Sequence, residues 1–279
     1  MAFRQLLRGR VEPARAEAVA REVATRYGDE RAVAAESVID AGERSIEVEI
    51  LEADNWLSTP CVVDGRWFVK IITAQNALVH GLLTTGRNLG MFSRGTEGFF
   101  ERFEDPVEMA AHELDATRRM RELGVNAPQP LEAFGFEDLG VLVLEYLPAF
   151  RTLDGLGEGE TRRFAPVLFA SLARLHDAGL AHGDLRAENV LLADDQLYFI
   201  DATNVRAAAI DDARSYDLAC ALAALEPAIG ARAAVDAALG VYDVDDLLAA
   251  REFVGFVDLR PDHDFDAALL RGELEKRAA

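Results

Sequence analysis

The first half of the chain combines helical and strand-like spacing of its hydrophobic residues. Residues 13–27 place an apolar residue at every third or fourth position, start with a proline and stop before a glycine, which predicts an amphipathic helix. Over residues 46–72 apolar and polar residues alternate, and the pair Asp64-Gly65 separates two apolar runs, as in antiparallel strands joined by a tight turn. Residues 128–147 again have strand character. We therefore predict a small antiparallel sheet in this half.

A variable region and a second helix lie between these strand-like segments. The variable region runs from residue 73 to about residue 104 and is rich in Gly, Asn and Thr. The helix after it has clear end signals, because Asp105 can cap it, Pro106 suits its first position and Gly124 can end it. Glu108 stands where the acid of a capping box belongs.

Helical spacing dominates the second half of the chain. One amphipathic helix ends at Gly179, and its apolar stripe consists of Phe164, Leu168, Leu172 and Leu175. Two short strands are predicted at 189–193 and 196–200, and further helices at 214–226, 231–239, 243–257 and 265–277. A sheet-rich front, a helix-rich back and a proline near 147–148 between them predict a bilobal α+β protein. We expect a helical extension at 1–45, a first lobe at 46–147 and a second lobe at 148–279.

The composition narrows the range of partners. The 279 residues carry a formal net charge of −20 and a pI near 4.6, which argues against a basic surface that binds nucleic-acid phosphates. Only Lys70 and Lys276 among the 29 basic residues are lysines. This acidic, lysine-poor composition resembles that of proteins from salt-loaded halophilic archaea. A GC-rich genome would also favour arginine over lysine, but it would not explain the excess of acids.

Several other classes of protein are excluded on simple grounds. Cys61 and Cys220 cannot form a disulfide framework and lack the paired spacing of a metal site. No apolar stretch approaches the roughly 18 residues that a membrane helix needs, and the first residues lack the apolar core of a signal peptide. We therefore expect a cytoplasmic protein with no membrane partner.

The most informative segment is HGDLRAEN, residues 182–189, which lies in a predicted loop between a helix and a strand. Asp184 and Asn189 are five residues apart, and Asp201 follows at the end of an apolar strand. Phosphoryl transfer needs such a set, in which one carboxylate orients the attacking hydroxyl and accepts its proton. An amide oxygen and a second carboxylate can then hold Mg²⁺ on the phosphates, because Mg²⁺ takes few protein oxygens and keeps several waters.

This segment resembles the catalytic loop of the protein-kinase-like superfamily. His182, Asp184 and Asn189 match the family pattern His-x-Asp-x-x-x-x-Asn, and Asp201 matches the metal-binding Asp that usually precedes Phe-Gly. Here Ala-Thr follows that Asp instead, which is similar to the atypical RIO kinases. The resemblance implies that Asp184 is catalytic and that Asn189 and Asp201 hold the metal.

Three further residues in or near this loop can be interpreted, two of them in more than one way. We interpret His182 as a structural residue that packs and hydrogen-bonds the loop. Arg186 occupies the position where protein kinases have a Lys and could contact the γ-phosphate, or it could form a surface ion pair with Glu188. Asp217 resembles the acid that opens the large helix after the activation segment and steadies the catalytic loop, or it has a capping or surface role.

Lys70 is the second element of the resemblance. It lies in the apolar run WFVKII, where an unpaired buried ammonium group would be costly. The resemblance implies that Lys70 contacts the α- and β-phosphates, whereas the alternative is an edge-strand lysine that points to water. Glu113, on the apolar stripe of the second helix, is its predicted ion-pair partner. Glu108 is the rival, although helix capping already explains it.

The resemblance also implies positions for the adenine and for the phosphates. The carbonyl of Glu145 and the N–H of Leu147 would contact adenine, while the alternative is a plain buried strand end. The expected phosphate-covering loop, residues 53–60, contains no glycine, so a hydroxyl of Ser58 or Thr59 could replace the usual backbone contacts. Equally, these residues could simply form a turn.

As a whole, the resemblance implies an ATP- and Mg²⁺-dependent kinase with a small sheet-containing N-lobe and a reduced helical C-lobe. Its RIO-like character favours a Ser/Thr protein acceptor, autophosphorylation, or an ATPase switch in ribosome maturation. The glycine in His-Gly-Asp is also similar to aminoglycoside and sugar kinases, which leaves a small-molecule hydroxyl acceptor open. A third alternative is a nucleotide-binding pseudokinase scaffold, which the missing glycine loop favours and the intact Asp184, Asn189, Asp201 and Lys70 oppose.

Overall fold

The computed structural model describes residues 11–28, 46–51, 57–92, 103, 105–202, 209–259 and 263–278. Within them the chain forms two compact units. The first contains an antiparallel sheet, and the second is mainly helical. The predicted α+β class is therefore confirmed.

The first unit is built on a five-stranded antiparallel sheet. Its strands have the order β1-β2-β3-β5-β4. Up to residue 145 the elements are α1 (Pro13–Tyr27), β1 (Val48–Ile50), β2 (Thr59–Val63), β3 (Trp67–Ile72), α2 (Ala74–Phe92), α3 (Pro106–Glu122), β4 (Pro130–Phe136) and β5 (Leu139–Glu145). Helices α2 and α3 belong to this unit only as far as Leu83 and Leu114. The turn between β2 and β3 has positive φ at both Asp64 (52°) and Gly65 (60°), the backbone that a tight hairpin requires.

The two faces of this sheet are covered by different helices. Since side chains alternate along a strand, Trp67, Val69 and Ile71 of β3 lie on one face and pack with the buried side of α1. Ile72 lies on the other face, where it packs with Ala110 of α3. Lys70 has the same parity as Ile72 and therefore belongs to the α3 face.

The helix α2 was not predicted, because its period is carried by polar residues. Its buried polar side chains, Asn76, His80, Thr84 and Asn88, stand four residues apart, so a search for apolar spacing does not detect it. The helix begins with a capping box. The Thr73 hydroxyl accepts from the Asn76 N–H (3.1 Å), and the Asn76 side chain accepts from the Thr73 N–H (2.9 Å).

Besides the ends of α2 and α3, the second unit contains a small sheet and five further α-helices in its described residues. The strands β6 (Arg151–Thr152), β7 (Val190–Ala193) and β8 (Gln196–Phe199) pair antiparallel in that order. The helices are α4 (Glu158–Asp177), α5 (Ile210–Ile229), α6 (Ala231–Ala238), α7 (Val244–Val257) and α8 (Ala267–Ala278). Helix α5 is buried along most of its length and is therefore the centre of this core.

Across the described residues, the helices are all too short or too polar to cross a membrane.

Candidate active site

The predicted catalytic loop lies between α4 and β7 in the second unit. Gly183 adopts φ +79°, a conformation that favours glycine, and a single 3-10 turn at Ala187–Asn189 leads into β7. The side-chain amide nitrogen of Asn189 donates to the carbonyl of Asp184 at 2.8 Å. The backbone N–H of Ile200, next to Asp201, donates to the carbonyl of Asn189 at 3.0 Å. These hydrogen bonds connect Asp184, the predicted base, to the predicted metal ligand Asn189, and Asn189 to the residue before Asp201.

Asn189 and Asp201 are the predicted metal ligands. The amide nitrogen of Asn189 is directed at the carbonyl of Asp184, and its amide oxygen lies 3.5 Å from Arg186 Nη2. Asp201 has φ +62°, an uncommon conformation for a residue with a side chain and one that recurs at functional sites. The two predicted ligands offer one amide oxygen and one carboxylate, a set that fits Mg²⁺.

Arg186 contacts two carboxylates of the loop. It forms the predicted ion pair with Glu188, and its Nε also lies 3.3 Å from Asp184 Oδ2, a contact that the sequence did not predict. The side chains of Arg186 and Asp184 are 22% and 14% exposed, so the second pair is mostly shielded from water. Arg186 therefore places a positive charge within ion-pair distance of the Asp184 carboxylate.

His182 is structural, as predicted. It is fully buried and lies 6.2 Å from the ring of Phe199, centroid to centroid. Burial lowers its pKa below the usual value, and this exceeds the opposing effect of nearby carboxylates such as Asp217. The imidazole is therefore neutral at pH 7.

Asp217 steadies the backbone of the loop. It is completely buried, and its carboxylate accepts hydrogen bonds from the N–H groups of His182 and Gly183, the latter at 2.8 Å. One expectation about it was wrong, since α5 begins at Ile210 and Asp217 does not open the helix. Of the alternative roles, the structure supports contact with the loop.

Two residues that sequence reasoning missed continue this network. His176 Nε2 lies 3.4 Å from Asp217 Oδ2, and the hydroxyl of Tyr242 lies 2.8 Å from His176 Nδ1. His176 and Tyr242 are both buried. In the sequence, His176 could have been linked to the catalytic loop only by its place in the last turn of the helix that leads into the loop. Tyr242 had no such link, because it lies 53 residues beyond Asn189.

The predicted ion pair between Lys70 and Glu113 is confirmed in the first unit. Lys70 Nζ lies 2.5 Å from Glu113 Oε1, and the side chains are only 7% and 15% exposed. Glu108, the rival partner, belongs to the first turn of α3, where its N–H bonds the Asp105 side chain at 3.0 Å. A shielded ammonium group of this kind is suited to contact phosphate.

The remaining predicted contacts lie at the ends of strands in the first unit. Glu145 is the last residue of β5, and its N–H bonds the carbonyl of Gln129 at 2.8 Å; Leu147 follows two residues later. Ser58 is buried, and the Thr59 hydroxyl accepts from the N–H of Val11 at 3.3 Å. Residues 53–56 of the expected phosphate loop, and residues 203–208 after Ala202, lie outside the described residues.

Comparison with known proteins defines the class. Residues 104–216 match the RIO domain, a segment that includes α3, the catalytic loop and Asp201. Over this segment the chain is therefore similar to the RIO domain of the atypical protein-kinase-like superfamily.

Individual relatives cover parts of the chain. It is 32% identical over 97 residues to the KEOPS complex subunit Bud32 of Pyrococcus abyssi, which covers 34% of this chain and 43% of the subunit. It is 29% identical over 176 residues to 3-deoxy-D-manno-octulosonic acid kinase of Vibrio parahaemolyticus, which covers 56% of this chain and 69% of that kinase. The chain thus spans less than half the length of the Bud32 relative. The kinase domain of PknI from Mycobacterium tuberculosis has a TM-score of 0.40 at 11% identity, over 87% of this chain and all of that domain.

Proposed function

We propose that this chain is an ATP-dependent kinase that transfers a phosphoryl group to a hydroxyl, most simply as a RIO-like serine/threonine protein kinase. The observation that carries the proposal is the catalytic loop, in which Asn189 is bonded to Asp184 and the buried Asp217 holds the backbone. A loop that only connected a helix to a strand would not need a buried carboxylate to fix it.

Each residue has a role in this proposal. Asp184 orients the acceptor hydroxyl and takes its proton, and the nearby Arg186 keeps that carboxylate in place or contacts the γ-phosphate. Asn189 and Asp201 would hold Mg²⁺, which would neutralise phosphate charge during transfer. Lys70, fixed by Glu113, steadies the α- and β-phosphates.

The adenine and loop contacts belong to the same proposal. We assign the carbonyl of Glu145 and the N–H of Leu147 to adenine, and the hydroxyl of Ser58 to a phosphate. We also propose an N-terminal extension at 1–45, an N-lobe at 46–147 and a C-lobe at 148–279. A cytoplasmic location and a salt-adapted surface complete the proposal.

The acceptor has two candidates. The RIO domain supports a protein, including the chain itself or a ribosome-maturation particle. The similarity to 3-deoxy-D-manno-octulosonic acid kinase supports a small molecule with a free hydroxyl instead. A pseudokinase scaffold is disfavoured because Lys70, Asp184, Asn189 and Asp201 are all present.

Turnover of labelled ATP by the purified chain tests the proposal. After incubation with Mg²⁺ in high salt, label in the protein fraction indicates a protein acceptor, label in added sugars a small-molecule acceptor, and free phosphate an ATPase. Asp184→Asn should lower turnover by orders of magnitude and leave ATP affinity within several-fold, because a base acts in the transition state. Asp201→Asn should instead abolish Mg²⁺-dependent ATP binding. Absence of turnover in the unmodified chain, with ATP binding intact, would favour the scaffold.

A further inference from the structure

Tyr242 is distant in sequence from the catalytic loop but is connected to it through two side chains. It lies between α6 and α7, is 8% exposed and directs its hydroxyl at His176 Nδ1, 2.8 Å away. His176, near the end of α4, presents its other ring nitrogen to Asp217 at 3.4 Å. All of these groups belong to the second unit.

The direction of these hydrogen bonds follows from their chemistry. Burial, and next the negative charge of Asp217, raise the pKa of Tyr242 well above its usual value, so its hydroxyl keeps its proton. A protonated hydroxyl can donate to Nδ1, and an imidazole that accepts at Nδ1 carries its hydrogen on Nε2. That hydrogen then faces the Asp217 carboxylate, which can only accept. With the ring hydrogen on Nδ1 alone, a lone pair on Nε2 would face the carboxylate.

The network ends at the backbone next to the catalytic aspartate. Asp217 Oδ2, which faces His176, also accepts from the N–H of His182, and Oδ1 accepts from the N–H of Gly183 at 2.8 Å. Gly183 directly precedes Asp184. A rotation of the Asp217 carboxylate would therefore alter the orientation of the backbone at Gly183, and with it the position of Asp184.

We propose that Tyr242 is a positioning residue for catalysis: its hydroxyl selects the His176 tautomer that donates to Asp217, and Asp217 in turn fixes the backbone before Asp184. Packing alone does not require the hydroxyl. The Tyr242 ring lies edge-on to Phe169, with centroids 6.4 Å apart, and a phenylalanine would make the same contact. The inference rests on the proposed kinase activity for its kinetic readout but not for its spectroscopic one.

The test is Tyr242→Phe in the full chain, with two matched controls. Tyr198→Phe removes a hydroxyl from β8 that takes no part in this network. Phe169→Leu weakens the packing around Tyr242 and leaves the hydrogen bond in place. Thermal melts report stability, steady-state ATP turnover separates kcat from KM, and the backbone amide resonance of Gly183 reports its hydrogen bond to Asp217.

We expect Tyr242→Phe to lower kcat about fivefold, as for the loss of one hydrogen bond, with an unchanged KM for ATP and a shifted Gly183 amide resonance. Phe169→Leu should lower the melting temperature but change neither kcat nor the Gly183 resonance, and Tyr198→Phe should change none of them. An unmoved Gly183 resonance in Tyr242→Phe, or an equal loss of kcat in Phe169→Leu, overturns the proposal. If the unmodified chain does not turn over ATP, the proposed function fails, and the Gly183 resonance alone decides the role of Tyr242.

Discussion

Single residues in this protein are informative where their chemistry is out of place. A lysine in an apolar strand and an acid on an apolar helix stripe each predicted a partner, and the contact between Lys70 and Glu113 confirms the pairing. The same reasoning could not find His176 or Tyr242. Neither has a local signal, and only the fold shows that His176 contacts Asp217 and that Tyr242 contacts His176. The sequence therefore predicted the residues with local signals and missed these two without them.

Glu113→Gln should weaken both stability and ATP binding. The substitution removes the negative charge that Glu113 presents to the shielded Lys70 ammonium group, which we expect to cost about 3 kcal/mol in the free energy of unfolding. It should also raise KM for ATP, because Lys70 loses its fixed position. Urea unfolding and ATP titration measure the two effects. Glu108→Gln is the matched control on the same helix, and an equal effect from it would contradict the role of Glu113.

His182 should make the protein less stable as pH falls from 7 to 5. Burial lowers its folded pKa, so below the unfolded value of about 6.5 the unfolded chain binds a proton that the folded chain does not. This contributes a loss of up to about 1.4 kcal/mol per pH unit. His182→Phe should remove that contribution and give a shallower slope of stability against pH. Urea unfolding across the pH range tests this, and identical slopes would contradict it.

At the scale of secondary-structure elements, the sequence predicted the helices whose capping residues were recognisable and misplaced or missed the others. Asp105 caps α3 as expected, through bonds to the N–H groups of Val107 (2.7 Å) and Glu108 (3.0 Å). The start of α5 was placed at residue 214 instead of Ile210, because a helix buried on most sides has no apolar stripe to mark its limits. Helix α2 has a polar period, and its start signal was also missed because its capping box uses Asn in place of Glu or Gln.

One glycine fixes the position of α3 against the sheet. A Cβ at Gly140, in β5, would lie 2.0 Å from the carbonyl oxygen of Pro106, the first residue of α3. Gly140→Ala should therefore displace the start of α3, lower the free energy of unfolding by about 2 kcal/mol and raise KM for ATP through Glu113. Gly159→Ala is the control, since a Cβ there meets nothing within 4 Å. A Gly140→Ala protein with the melting temperature and KM of the parent would refute this.

At the scale of the whole molecule, the excess of acidic residues is the feature that we expect to determine how stability depends on salt. With 49 acidic and 29 basic residues, self-repulsion should destabilise the folded chain at low salt. The Debye length falls from about 30 Å at 0.01 M salt to about 3 Å at 1 M salt. In molar salt, therefore, only immediately neighbouring charges repel one another. The melting temperature should therefore rise with KCl into the molar range, since exposed ion pairs contribute little. A flat or falling series would remove the salt-adaptation hypothesis and leave the kinase proposal intact.

The shielded ion pair has a practical consequence, because lysine is so rare in this chain. Lys70 and Lys276 are the only lysines; the Lys276 side chain is 68% exposed, and that of Lys70 only 7%. A reagent that acylates amines will modify Lys276 directly, but it can reach Lys70 only when α3 and β3 separate. The rate at which Lys70 is acylated therefore reports how often α3 and β3 separate. The acylation rate of the exposed Lys276 in the same sample gives the reactivity of the reagent for comparison.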